Sequence, residues 1–232
     1  CDLDPNRDYL AEFDPIERHT RIELAAAYRW IAQMGWSDTI NNHISAKIPG
    51  TEHFLLNAYG VGYEEMTASS LVKIDIEGNV IHPGYAREAY ARGKVNKAGF
   101  ILHSAVHAAR HDITVAIHTH NENVIAVSAS PEGLVPIGQA YYSLGQVSYH
   151  DFEGIAVSPH ERKTIVRDLG SDSMCLILRN HGCLVCGDSI GDCMIRLYYL
   201  HKCCNMQVKA AAVAAAQGGR MIIPFPDVVK TA

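Results

Sequence analysis

At 232 residues and 25.5 kDa, the chain has the size of one large domain able to bury a substantial core. Its 48 % hydrophobic and 19 % charged residues and formal net charge of -5 exclude a disordered polymer and the basic excess expected of a nucleic-acid binder. No run approaches the ~18 to 20 apolar residues of a membrane helix, and the N-terminus lacks the basic and then apolar layout of a leader. The expectation is therefore a soluble, cytoplasmic protein whose partner is a small molecule.

Asp14-Pro15 opens a helix, with Glu17 favouring its N-terminal dipole, Leu24, Tyr28 and Ile31 at helical spacing, and Gly35 as the stop. Short strands follow around His43 to Ile48, Phe54 to Asn57 and Leu71 to Ile81, the last broken by a Glu77-Gly78-Asn79 turn, which reads as an antiparallel meander. From Lys97 to Arg110 the spacing is helical again, with Phe100, Ser104 and His107 or Ile101 and Ala105 as candidate faces. His103, His107 and His111 form a column at i, i+4, i+8; His107 and His111 read as solvated or hydrogen-bonded surface groups. For His103, three roles stay open: fourth metal ligand, proton donor or packed helix residue.

The alternation Ile113, Val115, Ile117 marks a strand that runs into His118-Thr119-His120, so the two imidazoles share a face. A helix starts at Asn121 and ends near Ser130-Pro131, Tyr141 to Ile155 is loop and strand, and Pro159-His160-Glu161 begins another helix. Between the apolar runs Leu176-Ile177-Leu178 and Leu184-Val185 lies Arg179-Asn180-His181-Gly182. Neutral imidazole is a common nitrogen ligand, and a catalytic centre typically takes three protein ligands and leaves a place for water or substrate. His118, His120 and His181 are thus the candidate ligand set for one divalent ion per subunit, zinc first, with manganese or iron as alternatives. Arg179 and Asn180 would orient the third ligand, or Arg179 would simply pair with an acidic neighbour.

A long helix from Asp188 to Gln217 buries Ile190, Met194, Leu197, His201, Cys204 and Val208, Gly218-Gly219 ends it, and 218–232 is a tail of the single domain. Seven scattered cysteines, Cys1, Cys175, Cys183, Cys186, Cys193, Cys203 and Cys204, argue against a disulfide framework and for a reducing compartment. Cys183 and Cys186 form a CxxC, but residues three apart on a strand face opposite sides, so buried thiols are the better reading.

The ordered segments Gly35-Trp36-Ser37, Asn42-His43-Ile44-Ser45, Met66 to Asp75, His103 to Arg110, His118-Thr119-His120 and Arg179-Asn180-His181-Gly182 resemble the class II aldolase/adducin family from about Pro15 to Gln217. The resemblance implies an α/β/α sandwich around a mostly antiparallel sheet, a homotetramer, and a divalent metal held by those three histidines near a subunit boundary. In sugar-phosphate aldolases of that family, Ser-Ser-Glu precedes the histidine that is His103 here. This chain has Lys97-Ala98-Gly99 instead, so the acid/base carboxylate falls on a glycine. Gly-Asn and Ser-Gly elements of the phosphate cradle become Asn42-His43 and Tyr59-Gly60.

These departures, with Asn96 to Phe100 and Tyr149-His150-Asp151, are similar to the adducin head domain and its bacterial-type relatives; adducin itself is a cytoskeletal protein whose head has no established catalysis, and without its long basic tail actin or spectrin binding is not expected of this sequence. Sugar-phosphate aldolase activity is not expected. The expected function is a metal-dependent carbon-carbon lyase, an aldolase or decarboxylase acting on a non-phosphorylated hydroxy or aromatic carboxylate through an enolate whose charge the metal takes up. His43, Tyr59, Lys97 and Tyr141, with Tyr142, would bind such a substrate, and His103, Tyr149 or His150 would donate the proton. The alternatives are a non-haem iron oxygenase on an aromatic hydroxy acid and a non-catalytic adducin-like assembly module.

Overall fold

The computed structural model describes residues 4, 6–87, 89–154, 159–225 and 227. Asp14 accepts hydrogen bonds from the backbone N–H groups of Ile16 and Glu17, and Pro15 fills the first position, so α1 (Pro15–Gln33) begins with its free donors satisfied. Gly35 leaves it in the left-handed region at φ +70°. The meander follows as β1 (His43–Lys47), β2 (Phe54–Leu56), β3 (Val72–Ile74) and β4 (Val80–His82), each antiparallel to the next. The Leu71 to Ile81 stretch is thus two short strands joined by a turn that Asp75 closes on Asn79.

Next come α2 (Lys97–Ala109), β5 (Val115–Thr119), α3 (Glu122–Ser128), β6 (Val147–His150), α4 (Pro159–Leu169), β7 (Cys175–Leu178), β8 (Gly182–Gly187) and α5 (Ile190–Ala216). One eight-stranded sheet takes the order β4-β3-β2-β1-β5-β8-β7-β6. Every neighbouring pair is antiparallel except β6 and β7, whose parallel pairing uses α4 as its crossover.

Helices cover both faces. Leu102 and Val106 of α2 with Ile165 and Leu169 of α4 pack on Ala116, Leu176, Leu178, Leu184 and Cys186. The opposite face, with Val115, Ile117, Ile177, Cys183 and Val185, packs on α1, α3 and α5. Cys183 and Cys186 therefore point to opposite layers; the six described cysteines are all buried and free, and Cys1 lies outside the described residues.

Two buried polar clusters pin α1 to the meander. Tyr28 donates its O–H to the Ile44 carbonyl (2.7 Å) and accepts from the backbone N–H of Asn57 (3.1 Å). Glu17 accepts from Arg21 Nε (2.9 Å) and Lys73 Nζ (2.7 Å), and Arg21 Nη1 donates to the Leu71 carbonyl at 2.8 Å. The expected stripe of α5 is wider than its spacing implied: Cys193, Leu200, Cys203 and Gln207 are also buried, while Met194 and Val208 are only partly so. The cause is a second neighbour, since α5 packs on α3 as well as on the sheet. Gly218, at φ +67°, ends α5, and residues 219–225 are non-helical; residues 226 and 228–232 of the expected tail lie outside the described residues. Among the described residues no helix is long and apolar enough to cross a membrane.

Candidate metal centre

His118 lies one residue before the end of β5, and its register partner on β1 is His43. His120 follows just past the strand, where Asn42 Oδ1 accepts its backbone N–H (3.0 Å) and Asn42 Nδ2 donates to the Trp36 carbonyl (2.6 Å). His181 sits in the three-residue turn between β7 and β8. Asn180 there adopts φ +57°, a left-handed conformation that asparagine tolerates better than most residues. The turn is anchored from below: Asn180 N–H donates to Ser128 Oγ (2.9 Å), and Arg179 Nη1 donates to the carbonyls of Ser128 (3.1 Å) and Ser130 (2.7 Å), capping the end of α3. Arg179 also lies over the Tyr149 ring at 4.7 Å, and its nearest carboxylate, on exposed Asp151, is 3.8 Å away.

The three imidazoles converge, with one ligand nitrogen of each within 4.8 Å of the others. His118 Nδ1 lies 2.9 Å from the Cys183 carbonyl, which can only accept, so that nitrogen carries the proton and Nε2 the lone pair. Asp38 Oδ2, 3.4 Å from His120 Nδ1, favours the same arrangement on the second ring. The two Nε2 atoms then face each other at 2.8 Å. Burial first, and mutual repulsion among His43, His181 and His120 next, hold His118 well below the ordinary histidine range; burial lowers His181 to about 4. Two lone pairs that a proton does not readily separate are a donor set suited to a cation, and the residues present fit a divalent metal.

A cavity of about 400 Å³ opens beside the triad, lined by His43, Asn96, Gly99, Leu102, Phe152 and Asn180 among others. A larger groove of about 930 Å³ along α1 holds Arg29, Trp30, Met66 and Ala68 but no histidine; the histidine cluster lines the smaller one. His43 Nδ1 is 2.7 Å from His103 Nε2, and its ring stacks at 4.9 Å from His118. A Cβ built on Gly99 would fall 2.5 Å from His43 Cδ2 and closer still to Nε2. The imidazole at 43 thus occupies the space that any side chain at 99 would need.

The other candidate residues are placed unequally. His103 is fully buried behind His43 and lies outside the ligand cluster and the cavity lining. His107 is not a surface group. It is 5 % exposed, bonded to Ser45 Oγ (2.8 Å) and the Ile113 carbonyl (3.1 Å), because α2 is covered by the sheet on one side and α4 on the other. His111, beyond the helix end, is exposed as expected. Tyr149 accepts the Leu134 N–H (2.8 Å) beneath the Arg179 guanidinium, and His150 bonds Asp168 (2.8 Å) with its Nε2 buried and unpartnered. Tyr59, Lys97 and Tyr141, like Tyr149 and His150, lie outside the described cavity lining. Sequence reasoning gave no site role to Asn41, Asn96, Leu102, Phe152 and Gly154, which line the cavity, or to Asp38, Ser45 and His107 behind the histidines; Ser45, Asn96 and His107 lay in the family-like segments, and the others carry no local signal.

The family model "Class II Aldolase and Adducin N-terminal domain" matches residues 22–208. An aldolase II superfamily protein from Pseudomonas syringae is 42 % identical, superposing with a TM-score of 0.86 over 95 % of this chain and 84 % of that one. An L-fuculose 1-phosphate aldolase from Glaciozyma antarctica is 28 % identical, with a TM-score of 0.81 over 94 % and 83 %. Alpha-adducin of Rattus norvegicus is 40 % identical over 212 residues, 91 % of this chain but 28 % of adducin. With an eight-stranded sheet between helical layers and a match across nearly its whole length, the chain belongs to the class II aldolase/adducin family.

Proposed function

We propose that this chain is a divalent-metal-dependent carbon-carbon lyase, an aldolase or decarboxylase acting on a non-phosphorylated hydroxy or aromatic carboxylate, folded as a single domain and working as a homotetramer. The observation that carries the reading is the approach of His118 Nε2 and His120 Nε2 to 2.8 Å with His181 beside them. A bound divalent cation, zinc first, would draw electron density from a substrate oxygen and lower the cost of an enolate-like charge.

The chain's own residues do the rest. The Cys183 carbonyl and Asp38 fix the ligand tautomers. Leu102 and Phe152 give the cavity an apolar wall for a flat or aliphatic body, and Asn41, Asn96 and Asn180 offer uncharged polar groups. Among the described lining residues there is no lysine or arginine, which disfavours a phosphate. A second reading, a binding module rather than an enzyme, is favoured by the 40 % identity to alpha-adducin.

Metal content of the purified chain, with His118→Ala as control, separates these readings. About one zinc or manganese per subunit, lost in the variant, together with metal-dependent carbonyl or CO2 release from a panel of hydroxy and aromatic acids, supports the lyase. Cleavage of L-fuculose 1-phosphate in preference to that panel would correct the substrate class. Iron with substrate-coupled oxygen uptake would replace the lyase by an oxygenase. Metal-free wild-type protein without turnover, even after soaking with each ion, would favour the module.

A further inference from the structure

We propose that His43 is a hydrogen-bond acceptor for a substrate hydroxyl at this site, held as the Nδ1–H tautomer with its Nε2 lone pair available to the cavity by a one-way chain of hydrogen bonds through His103, Ser45 and His107, in the space a side chain at position 99 would otherwise fill. The direction of the chain is set at its far end. The Ile113 carbonyl, 3.1 Å from His107 Nδ1, can only accept, so His107 donates from Nδ1. A ring buried this deeply is neutral and has one N–H, which leaves His107 Nε2 as an acceptor.

Ser45 Oγ, 2.8 Å away, must then donate to it, and having spent its only proton must accept from His103 Nδ1 at 2.6 Å. His103 Nε2 is in turn an acceptor, so His43 donates to it from Nδ1 at 2.7 Å. His43 Nε2 is left unprotonated on a residue that lines the cavity. Each hydrogen bond is between buried groups, so water does not compete for any of them. Because the chain ends on a carbonyl, it orients and polarises His43 but has no outlet that would carry a proton to solvent.

Gly99 supplies the second, independent observation. Its missing Cβ is what lets the ring edge of His43 lie against α2, so the imidazole and a longer residue at 99 exclude each other. In the role proposed, Nε2 accepts a hydrogen bond from a substrate O–H and so fixes the direction of that hydroxyl. His103, Ser45 and His107 are positioning residues. The kinetic part of this inference rests on the lyase reading; the tautomer does not.

The test uses the full chain, metal-free and labelled with 15N at histidine, and reads tautomers from long-range proton–nitrogen correlations. His43, His103 and His107 should all appear as the Nδ1–H form. A proton found on His43 Nε2 overturns the proposal. Ser45→Ala should release His43 into a mixture of tautomers, and Ser45→Thr, which keeps the hydroxyl, should restore the single form. If Ser45→Ala does not fold, His107→Leu removes the same anchor, and an unchanged His43 in either variant overturns the positioning role. With a substrate in hand, Ser45→Ala should lower kcat about tenfold or more at nearly constant KM, with recovery in Ser45→Thr. Nδ1–H at His43 supports the acceptor role even if no substrate is turned over, an outcome that would count only against the lyase reading.

Discussion

Replacing Gly99 by alanine should change sign with the residue at 43. In a helix interior, glycine costs roughly 0.5–1 kcal/mol relative to alanine, and Gly99 is in the first turn of α2, so Gly99→Ala in isolation would stabilise the helix by at most about that much. In this fold the new Cβ would stand 2.5 Å from His43 Cδ2 and 3.1 Å from Cε1. The ring has little room to retreat, being tied at 2.7 Å to His103 and stacked on His118. Overpacking of this kind costs roughly 1–3 kcal/mol, so the net effect in the His43 protein is a loss of about 1–2 kcal/mol, or several degrees in Tm at this chain length. In a His43→Ala background the obstacle is gone, and the same substitution should gain at most roughly 0.5–1 kcal/mol. Urea unfolding of the four proteins of this cycle, followed by circular dichroism, gives both differences and their coupling. If Gly99→Ala stabilises both backgrounds alike, the steric argument is wrong.

Other consequences can be checked alongside it. Asp38→Asn should weaken zinc binding by roughly tenfold, the lower end of effects for a residue orienting a ligand, since the carboxylate is half exposed and 3.4 Å from His120 Nδ1; competition with a chromophoric chelator measures this, and unchanged affinity would remove Asp38 from the centre. Glu17→Gln leaves the fully buried Arg21 guanidinium without its counter-charge and should cost roughly 3–5 kcal/mol of unfolding free energy; a loss under 1 kcal/mol would mean that the cluster is wetter than described. Burial lowers His201 to about 3, so the unfolded chain takes up its proton first on acidification. The stability this ring contributes is complete above about pH 6.5 and is lost as pH falls toward 3, roughly 2 kcal/mol of it between 6.5 and 5. His201→Phe should therefore flatten the fall in unfolding free energy between pH 7 and pH 5, and an equally steep profile in the variant would count against it.

The convergence of His118, His120 and His181 was legible because it rests on local rules. Strand alternation put His118 and His120 on one face, and the apolar runs about Arg179 to Gly182 marked a turn between strands. The opposite facing of Cys183 and Cys186 followed from the same period. What surrounds the triad was not legible, since it depends on register and layer packing. That His43 pairs with His118 is a fact about β1 lying beside β5, strands separated by some seventy residues of chain. His107 was assigned to the surface because a helix buried on two sides has no single apolar stripe for periodicity to find. Gly99 was noticed as a missing carboxylate; the imidazole in its place became visible only once α2 was laid against β1.

The order of strands also bears on how the chain is made. β8 is the last strand in chain order among the described residues, yet it enters the middle of the sheet between β5 and β7. Until it emerges, β5 presents an open edge carrying His118, and the earlier strands can close only as a half sheet. Pairing of β8 seals that edge and closes the turn that holds His181, so the three histidines come together only as the open edge of β5 is covered. A ribosome-bound fragment truncated within the β7–β8 turn should accordingly be both sticky and unable to retain metal.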